Sequence, residues 1–502
     1  MTQPPSGDPD RLPPQWEELL RSMLGPAADD VLREIAERGG PQALGLRGPD
    51  GEPIDLAAMA SAAGLPSDPA SLSRALQQIQ QMLSTTGEGP VNWDLARDLA
   101  RQAAVSGGDA SVSETDRREV RQAFSVAELW LDAATDLPPG GGQVHAWSRS
   151  EWVEATLPRW RTLAEPVAAS VADALAQTLS SQGPDALGEL GELGALGAAG
   201  GMSGADMLAG AGQMMRQLGG AVFGMQVGQA VGTLAREVFG GTDIGLPLLD
   251  RPGTALVPRN VTAFGEGLDV PDDEVRIFLA VREAAHARLF THVSWLRGHL
   301  LAAVDAYARG IEIDLDRMEE AVRSIDPTDP AALQEALSGG VFALQTTPTQ
   351  EAALLRLETS LALVEGWVEE VTAAAAAPHL PNAGALREMM RRRRAAGGPA
   401  EDTFATLVGL ELRPRRSRDA ARLWAQIAAD RGQAARDAVW QHPDLLPDAE
   451  DLDDPAGFAA RRAAEDTDHA DVDRALAEIF GEAPTGEDDD PDNDDAAGPV
   501  NR

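Results

Sequence analysis

The sequence predicts a mainly α-helical protein with a few short strands or extended loops and disordered termini. Three observations carry that expectation. The long runs 271–299 and 347–375 place their apolar residues at helical spacing. Gly220, Gly224, Gly228 and Gly232 recur every four residues, which on a helix makes one smooth ridge that another backbone can approach closely. Helix-opening residues stand where periodic segments begin, and Gly or Pro where they stop.

In chain order, residues 1–14 are Pro-rich and polar and read as disordered. Residues 16–24 and 71–83 suit short amphipathic helices. Asn92 then caps the helix DLARDLARQAAV, which Gly107-Gly108 ends. A stronger helix runs from Ser113 to Leu131, opened by Ser113 with Asp116 three residues on. After a Pro/Gly stretch, Ser148 and Glu151 form a capping box, each side chain reaching a free backbone donor of the other. Trp147, Trp152 and Trp160 read as core anchors, and His145, with no ligand neighbour at helical spacing, as structural.

Residues 183–212, rich in Gly, Ala and Leu, suggest a flexible loop or lid. The uncharged span 217–235 carries the glycine ridge; Gln226, Gln229 and Thr233 make it a poor membrane span, so a buried helix is expected. It ends at Gly240-Gly241, after which TALVPRN and VTAFGEGL suggest short strands or extended loops. The run 271–299 is helical with a break near Thr291 and Ser294; helices follow to Gly310, over 314–325, over 347–375, and from DAARLWAQ onward.

The chemistry concentrates in 271–299. Three of the seven histidines (His286, His292, His299) fall there, with Glu283 and His286 in the order Glu-x-x-His. A zinc-binding H-E-x-x-H helix works because two His four residues apart grip the metal and the Glu reaches the metal-bound water. Here the frame reads R-E-A-A-H, so Glu283 fills the base position and His286 the second ligand position, while Arg282 replaces the first ligand. Arg has no lone pair to offer and stays protonated. A metal at His286 needs further ligands. His292 keeps the six-residue interval of a longer zinc signature. Glu365, interrupting the apolar run LALV-E-GWV beside Gly366, is the best candidate from a later helix. A buried, hydrogen-bonded His286 without metal is the alternative.

Formal charge is −38, and from Pro447 onward 19 acidic residues face 4 basic ones. Such a surface repels nucleic acid and anionic lipid, so neither is expected as a partner; a peptide or protein substrate or ligand is. No cysteine occurs and the N-terminus lacks a basic region followed by an apolar run, which fits a cytoplasmic protein. The Arg groups 391–394 and 413–418 suit internal ion pairing or a surface that binds the acidic tail. The organisation expected is an N-terminal helical region to residue 110, a helical core over 111–446, and an acidic, mostly disordered tail over 447–502.

The passages GMQVGQAVGTLAREVFGGTDIGLPL, VREAAHARLFTHVSWLRGHL, LVEGWV, RRRR with GGPAEDTF, and LVGLELRPRR, over roughly residues 120–460, resemble a family of zincin-like hydrolases labelled zinc-dependent metalloproteases. One branch of that family is linked to deazaflavin-coenzyme biosynthesis. The resemblance implies a largely helical zincin-like fold and, in members with a complete motif, zinc with a glutamate base; the motif falls on positions 282–286 here. Arg282 departs from it. Two functions are therefore expected: a metallopeptidase-like hydrolase with an impaired or lost metal site, or a catalytically inactive binding module for a peptide or acidic ligand.

Overall fold

The computed structural model describes residues 89–181, 204–309, 312–313, 344–345, 347–395 and 416–464, with 467 and 474. The helices expected at 16–24, 71–83 and 314–325 lie outside the described residues, as does most of the acidic tail. What is described is mainly α-helical, as the sequence indicates.

Helix α1 (Trp93–Val105) is capped by the Asn92 side chain, which accepts from the Leu95 N–H, and α2 (Glu114–Leu131) opens with the full Ser113/Asp116 capping box. Strand β1 (Gln143–Ala146) leads to α3 (Arg149–Ser181), whose start is fixed by reciprocal Ser148 and Glu151 hydrogen bonds. Pro158 and Pro166 sit inside α3 without ending it. Each removes one ladder hydrogen bond, but Trp152, Trp160, Leu163 and Val167 are buried on both sides of them and hold the helix by packing.

Helix α4 (Gly204–Leu234) begins inside the stretch where a loop or lid was expected, so residues 204–212 are helical; 182–203 lie outside the described residues. Its glycine ridge lies against α1. A Cβ added at Gly224, Gly228 or Gly232 would come within 2.5, 2.7 and 2.5 Å of the carbonyl oxygens of Asn92, Ala96 and Ala100. Any side chain there would push the two backbones apart.

Strand β2 (Gly253–Leu256) pairs in parallel with β1, Gln143 opposite Gly253 and Ala146 opposite Leu256. The TAL part of the expected extended region is thus a strand. VTAFG is not: it belongs to α5 (Pro258–Gly265). Pro258 occupies the first turn, where its fixed φ favours a helix, and the buried Asn260 amide donates to the Ala235 and Val238 carbonyls.

Helix α6 (Asp272–His292) runs through the centre and stops at Val293; α7 (Leu296–Arg309) follows, so the break falls beside Ser294 as the sequence suggests. Strands β3 (Glu312–Ile313) and β4 (Leu344–Gln345) form an antiparallel pair. Helix α8 (Pro348–Ala376) opens on a Thr347/Gln350 capping box. The Arg-rich α9 (Ala383–Ala395), then α10 (Ser417–Arg431), α11 (Gln433–Ala438) and the short α12 (Ala449–Asp453) follow.

Around α6 pack α2, α8, α5, β2 and α9, while α8 also meets α7 and α10. The α8–α10 contact is close because residue 366 is glycine: a Cβ there would lie 2.6 Å from the Ala420 Cβ. One apolar core runs from Val91 to Phe458. Trp152, Trp160, Trp367, Trp424 and Trp440 are fully buried in it, and Trp424 stacks on Trp440 at 5.3 Å. His145 stacks on Trp147 at 4.8 Å. No helix among the described residues is long and apolar enough to cross a membrane.

Candidate functional site

Helix α6 is unusual in being buried almost all round from Val275 to Phe290 while carrying Arg282, Glu283, His286 and Arg288. Charged groups in such a place must be paired and hydrogen-bonded. The way each is paired defines the site.

Glu365 on α8 is the common partner. Its Oε2 accepts from Arg282 Nη2 at 3.1 Å and from the Arg394 guanidinium of α9, and its Oε1 faces His286 Nε2 at 3.2 Å. His286 Nδ1 lies 3.0 Å from the Arg282 carbonyl oxygen. A carboxylate and a carbonyl thus flank the two ring nitrogens of His286. Burial pushes the Glu365 carboxyl up, but Arg394, His286 and Arg282 together carry it well below its ordinary value. Arg282 moves down from its ordinary value because of burial and the like charge of Arg394, with Glu365 opposing.

Glu283 points elsewhere. Its Oε1 accepts the Gly241 N–H at 2.8 Å; its Oε2 accepts the Thr242 N–H at 3.2 Å and the Thr242 hydroxyl at 2.5 Å. Burial raises this carboxyl, and the Thr242 hydroxyl pulls it only part of the way back. The turn that takes these bonds follows α4 and also covers Glu365, since a Cβ at Gly245 would lie 3.2 Å from Glu365 Oε1. Gly245 itself has φ +77°, a conformation glycine adopts freely. Its neighbour Asp243 pairs with Arg393, whose guanidinium lies 4.2 Å over the Phe239 ring. The turn is therefore fastened to α9 on one side and α6 on the other.

Of the residues singled out from sequence, the structure brings Arg282, His286 and Glu365 together. Glu283 is held by the 241–242 turn. His292 sits exposed at the end of α6 with Nε2 3.1 Å from the Pro139 carbonyl oxygen. Sequence reasoning missed Arg394 and Thr242. The RRRR run suited internal ion pairing or a surface for the acidic tail; within α9, Arg391 pairs with Glu369, Arg392 with Glu388, Arg393 with Asp243 and Arg394 with Glu365. No local signal could say which arginine reaches α8.

The residues do not fit a zinc ion. Among the described residues no group of three His, Asp or Glu is placed to hold a metal. Both Glu365 oxygens are already occupied, two guanidinium groups stand where positive charge would have to enter, and each ring nitrogen of His286 already faces an oxygen of the protein. A zinc ligand must instead present a free lone pair.

The profile of a family described as zincin-like metallopeptidase matches residues 91–459. The chain is also similar to the crystal structure of "a putative hydrolase with a novel fold" from Chloroflexus aurantiacus, at a TM-score of 0.50 and 18% identity, over 74% of this chain and 99% of that one. That likeness concerns the fold. A search of curated proteins finds no significant match.

Proposed function

The chain belongs to the zincin-like metallopeptidase family, and from that premise we propose a member that keeps the family's hydrolase-like fold but acts by binding a peptide or protein, not by metal-assisted hydrolysis. The Arg282–Glu365 pair carries this reading. Metal-assisted peptide hydrolysis needs an ion with an open coordination position and a carboxylate free to take a proton from water. Here Glu365 is engaged by Arg282 and Arg394, and both oxygens of Glu283 are engaged by Gly241 and Thr242. Arg282 takes the place of a metal as the electrostatic partner of Glu365, and the cluster ties α6, α8 and α9 together.

The competing reading, a hydrolase with a recruited ligand, rests on Glu283 and His286 keeping the Glu-x-x-His interval. It requires Glu365 to leave its guanidinium partners, and breaking a buried pair costs about 3–5 kcal/mol. The −38 balance disfavours nucleic acid and anionic lipid as partners, and the absence of cysteine is compatible with the cytoplasm. The test is elemental mass spectrometry on the purified, tag-free protein and on His286→Ala, with a peptidase screen alongside. Sub-stoichiometric zinc and no peptide turnover are expected. Stoichiometric zinc that disappears in His286→Ala would overturn the reading.

A further inference from the structure

Away from Glu365, where α1 packs against the start of α3, lies a cleft of about 610 Å³. Its walls include Arg97 and Arg101 from successive turns of α1, Glu154 and Ala155 from α3, and Trp147, which follows β1. Arg97 Nε lies 2.9 Å from each Glu154 oxygen, and its Nη2 lies 2.8 Å from Oε2. Arg101 Nη1 is 3.3 Å from Glu154 Oε1, its sole polar contact through the side chain among the described residues. Two guanidinium groups, 49% and 53% exposed, therefore share one carboxylate. Glu151 also borders the cleft, but its carboxylate accepts from the Ser148 N–H at 2.7 Å and pairs with neither arginine. The Trp147 ring is backed by His145, stacked on it at 4.8 Å and 19°. Its indole N–H has no hydrogen-bond partner among the described residues.

The cleft thus offers an aromatic wall, a guanidinium fork held in place by Glu154, and a second fork largely unused. Its volume suits one or two residues of a ligand. We infer that it receives a carboxylate carried next to an aromatic side chain of a peptide. The carboxylate accepts from Arg101 beside Arg97, and the aromatic ring lies against Trp147. Guanidinium forks match a carboxylate through paired N–H donors, and an indole ring adds an aromatic contact beyond simple burial. A second carboxylate also balances the group, with Arg97 and Arg101 against Glu154 and the ligand. The inference rests on the peptide-binding reading and gives it a place separate from the α6 cluster. A peptide C-terminus and an acidic side chain beside an aromatic one present the same chemistry.

The experiment is isothermal titration of the full chain with three acetylated tripeptides. One ends in phenylalanine with a free carboxylate, one is its amide, and one is an amide with glutamate before the phenylalanine. Saturable binding of a carboxylate-bearing peptide is expected, with the first amide weaker; which carboxylate binds identifies the source. Arg101→Gln should weaken it by roughly ten- to a hundredfold, the worth of a hydrogen bond to a charged group. Trp147→Leu should weaken it by roughly two- to tenfold. Glu154→Gln should tighten it by roughly two- to fivefold, as the internal carboxylate stops competing for both arginines. The opposite sign of this last variant means that a general loss of folding cannot mimic the set. No saturable heat with either carboxylate-bearing peptide, or equal affinity for the first peptide and its amide, would overturn the site. So would binding that neither Arg101→Gln nor Trp147→Leu alters, a result that leaves the peptide-binding reading standing with its site elsewhere.

Discussion

Replacing Glu365 with Gln keeps the shape of the side chain and removes only its charge. Arg282 and Arg394 would then face each other across a neutral amide, with His286 beside them. The magnitude follows from burial. The Arg282 and Glu365 side chains are 7% and 4% exposed, so the surface regime of about 0–1 kcal/mol does not apply. Removing one partner of a buried pair costs about 3–5 kcal/mol, because the uncompensated charge stays behind. With a urea slope of about 2–3 kcal/mol per molar, the unfolding midpoint should fall by roughly 1–2 M. Tryptophan fluorescence reports it, since Trp367 lies two residues from Glu365 on α8. Arg282→Met should cost less, since Glu365 keeps Arg394 and His286, and the double variant should cost less than the sum of the two singles. A midpoint shift worth under about 1 kcal/mol in Glu365→Gln, or strict additivity, would refute the argument that this carboxylate is held by its cations.

The same group predicts an acid response. A carboxyl whose folded value lies below its unfolded one contributes stability that is fully present above the unfolded value, about pH 4.3, and is lost as pH falls through the folded value. The stability gap between wild type and Glu365→Gln should stay constant from pH 7 to about pH 5 and shrink toward pH 3; a gap unchanged at pH 3 would count against it. Gly232→Ala should destabilise by about 1–3 kcal/mol, because the new methyl meets the Ala100 carbonyl at 2.5 Å, whereas Gly219→Ala, in open space on the same helix, should stabilise by about 0.5–1 kcal/mol through helix propensity. Thermal melts of the two variants should move in opposite directions. Arg288→Met removes bonds to the Glu128 carboxylate and carbonyl, Asp132 and the Leu137 carbonyl; a loss of about 3 kcal/mol or more is expected in urea unfolding, with hydrogen exchange speeding first in α2.

What could be read from sequence was what neighbours in the chain decide. Asn92, Ser113 with Asp116, and Ser148 with Glu151 open helices because the donors they satisfy lie three residues away. The glycine ridge was legible because its period belongs to one helix, and Glu365 was reached because a carboxylate inside an apolar run beside a glycine is costly without a partner. What could not be read depends on residues far apart. The β1–β2 pairing joins segments over a hundred residues apart, and VTAFG adopts a helix in which Asn260 finds partners just past the end of α4. Glu283 sits at the base position of a known motif, and nothing local reveals that Thr242 accounts for its carboxylate.

The glycine ridge also bears on how the chain acquires its shape during synthesis. Helix α1 leaves the ribosome roughly 130 residues before Gly232, the last of the glycines it docks against. Closing so long a separation makes this docking a slow, late event. A helix that waits with large apolar side chains uncovered is an aggregation hazard. Here the face that waits is Ala96, Ala100 and Ala104, which exposes little more than methyl groups. Small residues at this joint thus let this face of the early helix stay uncovered safely until α4 is made.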